Sequence, residues 1–418
     1  MNDPAWMDAA FAAARPKAVA ALLRYFRDLD TAEEAFQEAC LRALRKWPEN
    51  GPPRDPAAWL IMVGRNAGLD GKRRDKRFTE LPPEHQLSDL DDPEGGMVDR
   101  LDQADYRDDI LRLLFVCCHP DLPATQQIAL ALRIVSGLSV RQIARAFLVN
   151  EKAMEQRITR AKARVAAAGV PFDTPAPAER AERLETVLAM IYLVFNEGYS
   201  ASGGEIEARQ PLCNEAIRLA RLILRMYPAE PEVMGLTALM LLQHARSAAR
   251  FDQNGSIILL DMQDRGLWNP KMITEGLALV DKAFRHRRPG PYQLQAAIAA
   301  LHARAARPED TDWREIDVLY AMLEEITDSP VVTLNRAVAV SKAYGLDQAL
   351  ALIEPLAERL DGYFNYHGVR GAFLQQQGRA DEARTAFNRA IALAGSAAEA
   401  DHIRSHLDSL EKVAANAG

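Results

Sequence analysis

The sequence contains few cysteines, and they are not arranged as metal-binding or disulfide pairs. Four occur in 418 residues (Cys40, Cys117, Cys118 and Cys213), and no two of them form a C-x-x-C motif. This spacing disfavours a zinc finger, a zinc-binding redox sensor and a disulfide scaffold. Redox activity is conceivable for the adjacent Cys117 and Cys118, but we expect them to be buried apolar thiols.

Long hydrophobic runs and catalytic motifs are also missing. The longest apolar stretch, Val187 to Phe195, is about half of the ~20 residues that cross a bilayer. The N-terminus lacks the basic and apolar segments of a secretory signal. No glycine-rich phosphate loop, H-E-x-x-H or G-x-S-x-G occurs in its required setting. We therefore expect a cytoplasmic protein that is not an enzyme, has no membrane segment and uses no cofactor or metal.

The charged residues that are present lie in alternating blocks. Residues 28–38 carry five acids and no base, and residues 65–77 carry six bases against two acids. Residues 80–105 carry nine acids against one base, and residues 141–164 carry seven bases against two acids. A single block would suggest only a solvated helix face. Four alternating blocks favour a chain that contacts both a basic protein partner and nucleic acid.

The hydrophobic periodicity predicts helices almost throughout, and hence an all-α fold. Thr31-Ala-Glu-Glu34 has the pattern of a capping box, which predicts a helix start at Thr31. Trp47-Pro48 predicts the end of that helix. Asp55-Pro56 predicts the next start, with the aspartate as N-cap and the proline at the first helical position.

A helix-turn-helix pattern follows between residues 139 and 167. Ser139-Val-Arg-Gln142 is a second capping box, and it opens a short helix. Leu148-Val-Asn150 forms the turn, with Asn150 as the N-cap of a longer basic helix. A short helix, a three-residue turn and a basic helix are typical of helix-turn-helix DNA-binding units.

Near its C-terminus the chain contains an internal repeat. Gly345 and Gly378 are 33 residues apart, and Ala349 and Ala383 are 34 residues apart. This is the tetratricopeptide period, in which a small residue lets two helices pack closely and a glycine separates them. We therefore expect helix pairs with a concave surface suited to a peptide or protein partner.

Taken together, these segments resemble a bacterial sigma factor of the extracytoplasmic-function type. Residues 18–77 look like sigma region 2, residues 111–167 look like region 4, and no region 3 lies between them. The remainder resembles the C-terminal extension of a group that carries a fused tetratricopeptide-like domain. Three strings carry this last resemblance: Leu114-Phe-Val-Cys-Cys-His-Pro-Asp121, Phe195-Asn-Glu-Gly-Tyr-Ser-Ala-Ser202, and Asp264-Arg265 with Trp268.

The resemblance implies five segments and a role for each of the three folded ones. Residues 1–78 would be region 2, 79–105 an acidic linker, 106–168 region 4, 169–178 a second linker and 179–418 the helical-repeat domain. The protein would bind RNA polymerase core, through the β′ clamp and the β subunit, and direct promoter-specific initiation. The C-terminal domain would regulate it in cis. The acidic linker would either thread the RNA-exit path or serve as a solvated tether.

Three sets of contact residues follow from the resemblance. The acidic helix would bind the polymerase clamp through Asp30, Glu33, Glu34, Gln37 and Glu38. The helix after Pro56 would hold the melted −10 strand through Arg65, Asn66, Lys72, Arg73, Arg74 and Arg77. The basic helix would read the −35 duplex in its major groove through Lys152, Gln156, Arg157 and Arg160. Glu155 departs from the family pattern, which usually has lysine there.

Two groups in the C-terminal half combine charge with an aromatic ring. They are Asn196, Glu197 and Tyr199, and Asp264, Arg265 and Trp268. Each group either regulates regions 2 and 4 or caps and packs helices. The alternative function is a one-component helix-turn-helix transcription regulator with a helical-repeat sensor domain. The acidic segment 28–38 argues against it, since an ordinary regulator has no need of a polymerase-binding helix.

Overall fold

The computed structural model describes residues 5–51, 53–76, 103–119, 121–168, 177–199, 206–253, 257–395 and 397–417. Throughout these ranges the fold is all-α, as predicted, apart from an isolated bridge between Phe251 and Ile257. The chain divides into two compact units, Met1–Val194 and Phe195–Gly418. No helix in the described ranges is long and apolar enough to span a bilayer.

Where the structure describes it, the first unit contains two groups of helices and the start of a long helix. The first group is α1 (Ala5–Phe26), α2 (Leu29–Asn50) and α3 (Pro56–Lys76). The second group is α4 (Gln103–Cys117), α5 (Ala124–Ile134), α6 (Val140–Ala146) and α7 (Glu151–Ala168). Helix α8 (Pro177–Tyr199) begins in the first unit and ends in the second. The predicted segment boundaries stay a prediction; the one at residue 178 falls at the start of α8.

Helix α2 begins earlier and ends later than predicted. Asp28, not Thr31, is its N-cap, because the Asp28 carboxylate accepts hydrogen bonds from both the backbone N–H and the hydroxyl of Thr31. Pro48 does not end the helix, since it lies within the last turn, where its missing N–H removes only one intrahelical bond. The helix ends before Gly51, which has a φ of 77° and whose N–H donates to the oxygen of Trp47.

Close packing of α1, α2 and α3 forms the core of the first group. Leu22, Phe36 and Leu60 are almost fully buried there. A Cβ atom at Gly64 would lie 2.9 Å from the backbone oxygen of Ala35, so the absence of a side chain allows α3 to approach α2. The start of α3 agrees with the prediction, since the Asp55 carboxylate accepts hydrogen bonds from the N–H groups of residues 57 and 58.

The predicted helix-turn-helix is confirmed in the second group. Ser139 and Gln142 form the reciprocal capping box at the start of α6. Leu148 lies in the turn with a φ of 52°, and the Asn150 side chain accepts the N–H of Ala153 at the start of α7. Cys117 and Cys118 at the end of α4 are fully buried, and burial raises the pKa of both thiols.

Ten further helices lie within the described residues of the second unit. They are α9 (Ile206–Met226), α10 (Pro231–His244), α11 (Pro270–Phe284), α12 (Pro291–Arg304), α13 (Trp313–Ile326), α14 (Pro330–Ala343), α15 (Leu346–Ile353), α16 (Phe364–Gln376), α17 (Ala380–Leu393) and α18 (Ala397–Ala417).

The internal repeat corresponds to two helix pairs, α14 with α15 and α16 with α17. Gly345 and Gly378 lie in the turns within these pairs, with φ angles of 112° and 78° that side-chain-bearing residues rarely adopt. Ala349 and Ala383 are completely buried in the shared core, which allows the paired helices to pack closely. The predicted repeat is therefore present as two equivalent helical hairpins.

Candidate nucleic-acid and partner interfaces

Helix α2 presents part of its acidic block to solvent. Glu34 and Gln37 are exposed, and Glu38 is half-buried beside Arg42, with 3.0 Å between the guanidinium and the carboxylate. Leu41 and Leu44 are each about half exposed and continue the same side of the helix. This side therefore combines acidic, amide and apolar groups, as a surface for a basic protein partner would.

Glu33 lies about 100° around α2 from Glu34 and is buried among cations. Its carboxylate lies 2.8 Å from Lys162 Nζ, 3.1 Å from Arg15 Nη2 and 3.3 Å from Arg133 Nε. Only 4% of Glu33 is exposed. Lys162 also contacts Asp30 at 2.7 Å, so its ammonium group bridges two carboxylates of α2.

The charge states of this network follow from its contacts. Burial alone would raise the pKa of Glu33, but the hydrogen bond from Lys162 and the charges of Lys162, Arg133 and Arg15 hold that pKa below its usual value. Burial would likewise lower the pKa of Lys162, but its hydrogen bonds to Asp30 and Glu33 raise it. Glu33 and Lys162 are therefore both ionised at neutral pH.

Arg15 ties the two helix groups of the first unit together. Its Nε donates to the backbone oxygen of Ile134 at 2.8 Å, and Nη2 donates to that of Arg133 at 3.1 Å. Arg15 therefore donates to backbone carbonyls that lack a partner within α5. The C-terminal end of a helix carries a partial negative charge, which stabilises a cation there. The sequence analysis missed this contact because Arg15 and Ile134 are 119 residues apart.

A second ion-pair cluster joins the same two groups. Arg24 of α1 lies 3.3 Å from the carboxylate of Asp109 on α4. Asp109 is also 3.1 Å from Arg112, and both of these residues are buried. No local pattern in the sequence indicates this pairing either.

The structure describes only part of the predicted −10 set. Arg65 is exposed on α3, and its guanidinium lies 4.2 Å from the centre of the Tyr25 ring, while Asn66 is half-buried. For three of the predicted residues only the helical backbone is described: Lys72, Arg73 and Arg74. Arg77 and residues 79–102 of the predicted acidic linker (79–105) lie outside the described residues, and residues 103–105 are the first residues of α4.

The predicted −35 residues lie on α7, with differing exposure. Lys152, Gln156 and Arg160 are exposed together with Glu155, whereas Arg157 is half-buried. The opposite face of the helix is buried through Met154, Ile158, Ala161 and Val165. The exposed face is rich in donors that can contact bases and phosphates, and Glu155 is the acid within it.

The first predicted regulatory group has contacts within the second unit. The Tyr199 hydroxyl accepts a hydrogen bond from Arg246 at 2.9 Å, and Arg250 lies 3.6 Å from the centre of its ring. Glu197 pairs with Arg209 at 3.1 Å, and Asn196 is half-buried.

The second regulatory group supports the loop between α10 and α11. Asp264 caps a short 3₁₀ turn by accepting the N–H of Gly266. Arg265 lies over the buried Trp268 ring and donates to the backbone oxygens of His302 and Ala305. These contacts show a packing role, and they leave the predicted regulatory role untested.

Arg265 also borders a cavity of about 360 Å³ in the second unit. Its lining is mainly apolar and aromatic and includes Trp313 and Tyr320, and Asp261, Lys342 and His302 are among its polar groups. Burial and the charges of Arg246 and Arg265 lower the pKa of His302 to about 4, so this ring is neutral. Within the described ranges, no three metal-ligating side chains come together.

Three parts of the chain match known families. Residues 10–78 match sigma-70 region 2, and residues 112–165 match sigma-70 region 4. Residues 183–284 match a family of unknown function, DUF6596. An uncharacterized protein of Rhizobium meliloti is 71% identical over 410 residues, which covers 98% of this chain and 97% of that protein.

Proposed function

Because the chain belongs to the sigma-70 family, as an extracytoplasmic-function sigma factor with a fused C-terminal domain, we propose that it binds the polymerase clamp through one side of α2 and is regulated in cis by its second unit. Sigma factors bind RNA polymerase core and recognise promoters. The finer assignment of residues and of regulation is the proposal.

The observation that carries the clamp assignment is the mixed surface on α2. Glu34, Gln37 and Glu38 provide negative charge and hydrogen-bonding groups, and the exposed Leu41 and Leu44 extend them along the helix. Protein interfaces combine such apolar anchors with a polar rim. A basic, partly apolar surface such as that of a polymerase clamp would complement this side of α2.

Core binding and initiation test this assignment directly. We expect purified protein to bind core polymerase and support promoter-specific transcription in vitro. Glu34→Lys combined with Glu38→Lys should weaken core binding and leave the fold intact, whereas Glu185→Lys, an exposed acid on α8, should not. Binding equal to wild type in the double variant would place the clamp contact elsewhere, and a protein that neither binds core nor initiates would refute the function.

An exposed apolar loop supports regulation by the second unit. The loop between α10 and α11 exposes Met262, Leu267 and Leu259, with 75% of Met262 accessible. Arg265 and Trp268 brace this loop, so its apolar side chains are presented on a fixed backbone. Covalent linkage holds the second unit at roughly millimolar effective concentration, so weak contacts with the sigma regions would be populated.

Truncation and loop variants test cis regulation. The cut belongs after Tyr199, because Arg183 of α8 packs over Phe115 within the first unit, 4.7 Å from the ring centre. We expect this truncation to change promoter activity, and Met262→Ser with Leu267→Ser to reproduce part of the change. Identical transcription by the truncated and full-length proteins would refute regulation by this domain.

A further inference from the structure

Region 4 covers part of the helix that is proposed to bind polymerase. Lys162 of α7 and Arg133 of α5 both contact the Glu33 carboxylate, and Lys162 also contacts Asp30. Both acids belong to the set predicted to bind the polymerase clamp. In this arrangement Glu33 is buried and has no surface to offer a partner, while Glu34 and Gln37 remain exposed.

The contact uses the chemistry that a basic partner would use. An ammonium group placed 2.7–2.8 Å from two carboxylates forms two charge-assisted hydrogen bonds. A polymerase lysine or arginine that approached Asp30 and Glu33 would need the same oxygen atoms. We infer that region 4 competes with core polymerase for α2, with Lys162 and Arg133 as the competing cations, so that the free protein is held in a closed, self-inhibited form.

This inference rests on the proposed function and has a geometric consequence for initiation. The −10 and −35 elements are named by their positions upstream of the transcription start, so they lie about 25 base pairs apart. At 3.4 Å per base pair this separation is about 85 Å of duplex. Helices α2 and α3 are each about 33 Å long at 1.5 Å per residue. A region 4 in contact with α2 therefore cannot reach the −35 element while region 2 holds the −10 strand, and the closed form must open.

We call the contact of Lys162 with Asp30 and Glu33 the latch. The latch uses a different side of α7 from the one proposed to read DNA. Arg160 and Gln156 are exposed, whereas Lys162 is turned toward α2. Lys162 can therefore be changed without altering the exposed face of α7. Apparent affinity for core scales with the fraction of open molecules, so loss of the latch should tighten core binding.

The test compares Lys162→Met with Arg164→Met, a control at an exposed cation of the same helix that lies outside the predicted −35 set. Dyes are attached at two exposed positions, Arg45→Cys and Arg145→Cys, and energy transfer reports their separation in the full chain. Affinity for core polymerase is measured without DNA. We expect Lys162→Met to increase the separation and to bind core about tenfold more tightly, equivalent to about 1.4 kcal/mol. Arg164→Met and the charge-preserving Lys162→Arg should both behave like wild type.

The outcomes separate this inference from the function on which it rests. If wild type binds core but Lys162→Met changes neither separation nor affinity, the latch is refuted. A larger separation without tighter binding also refutes competition, because the contact would then be structural only. If wild type does not bind core at all, the proposed function fails, and the separation measurement still decides whether Lys162 holds the closed form. Melting curves of each variant establish that it is folded.

Discussion

Replacing Arg265 by methionine should destabilise the second unit much more than the same replacement at Arg304, although both lie near the end of α12. Arg265 Nη1 donates to the backbone oxygens of His302 and Ala305, 2.7 Å away in the second case. Because α12 ends at Arg304, His302 is among the last residues whose carbonyls lack a partner within the helix. Methionine keeps much of the side-chain length but removes the charge and the donors.

The expected magnitude follows from these contacts. A hydrogen bond from a charged donor contributes about 1.5–3 kcal/mol, and a guanidinium over an indole ring adds about 0.5–1 kcal/mol. Burial of the Arg265 guanidinium, which lowers its pKa, offsets part of that gain. We expect a net loss of about 2 kcal/mol, or a fall in Tm of about 4–8 °C for a unit of this size. Arg304 pairs with Asp281 at the surface, and its loss should cost less than about 1 kcal/mol.

Calorimetry of the full chain, with urea denaturation followed by tryptophan fluorescence, gives both values under identical conditions. Equal stabilities of Arg265→Met and Arg304→Met would refute the bracing role of Arg265. Unchanged stability of Arg265→Met together with altered transcription would show instead that the residue acts in signalling.

Three further outcomes are expected. The energy-transfer signal of the closed form should be constant between about pH 4.5 and 10.5. The lowered pKa of Glu33 stabilises the closed form above the usual glutamate pKa, and the raised pKa of Lys162 stabilises it below the usual lysine pKa. Opening inside that pH range would refute the ion-pair latch. The free energy of unfolding of the second unit should fall by about 3 kcal/mol between about pH 6.5 and pH 4, because His302 takes up a proton in the unfolded chain but not in the folded one, where its pKa is about 4. His302→Gln should flatten this decline in calorimetric scans, and an unchanged slope would contradict the prediction. Arg160→Ala should reduce the discrimination between bases at one −35 position by about 1–3 kcal/mol, whereas Lys152→Ala should weaken binding to all promoters alike. If a randomised promoter library shows a uniform loss of binding in both variants, Arg160 does not read a base.

Local signals in the sequence predicted the helix-turn-helix and the repeat hairpins correctly. Ser139 and Asn150 cap helices through contacts only three residues away, so the pattern of neighbours was sufficient. Gly345 and Gly378 adopt positive φ angles, which the repeat spacing predicted as helix breaks. The predicted helix start at Thr31 was wrong because the Asp28 carboxylate accepts the backbone N–H of Thr31 and caps the helix three residues earlier. Asp28 and Thr31 are both good N-cap residue types, so the sequence alone does not show which of them caps the helix.

The partners of Glu33 could not be predicted, because they come from distant parts of the chain. Lys162 lies 129 residues away, and nothing within either helix indicates which cation faces which acid. The Asp264-Arg265 string shows a different limit. Its resemblance to a family signature drew attention to the right loop, but its contacts are with backbone atoms of α12, which a sequence motif does not encode.

The charge blocks of the sequence gain a more specific meaning from helix geometry. Successive residues on a helix are rotated by about 100°, so the adjacent Glu33 and Glu34 lie on different faces of α2. Arg160 and Lys162 are likewise separated by about 200° on α7. The outward acid and the outward arginine remain exposed, while the inward acid and the inward lysine pair with each other. Each block therefore carries two sets of charges. In the proposed latch, the inner pair would set how readily the outer charges reach polymerase and promoter at the same time.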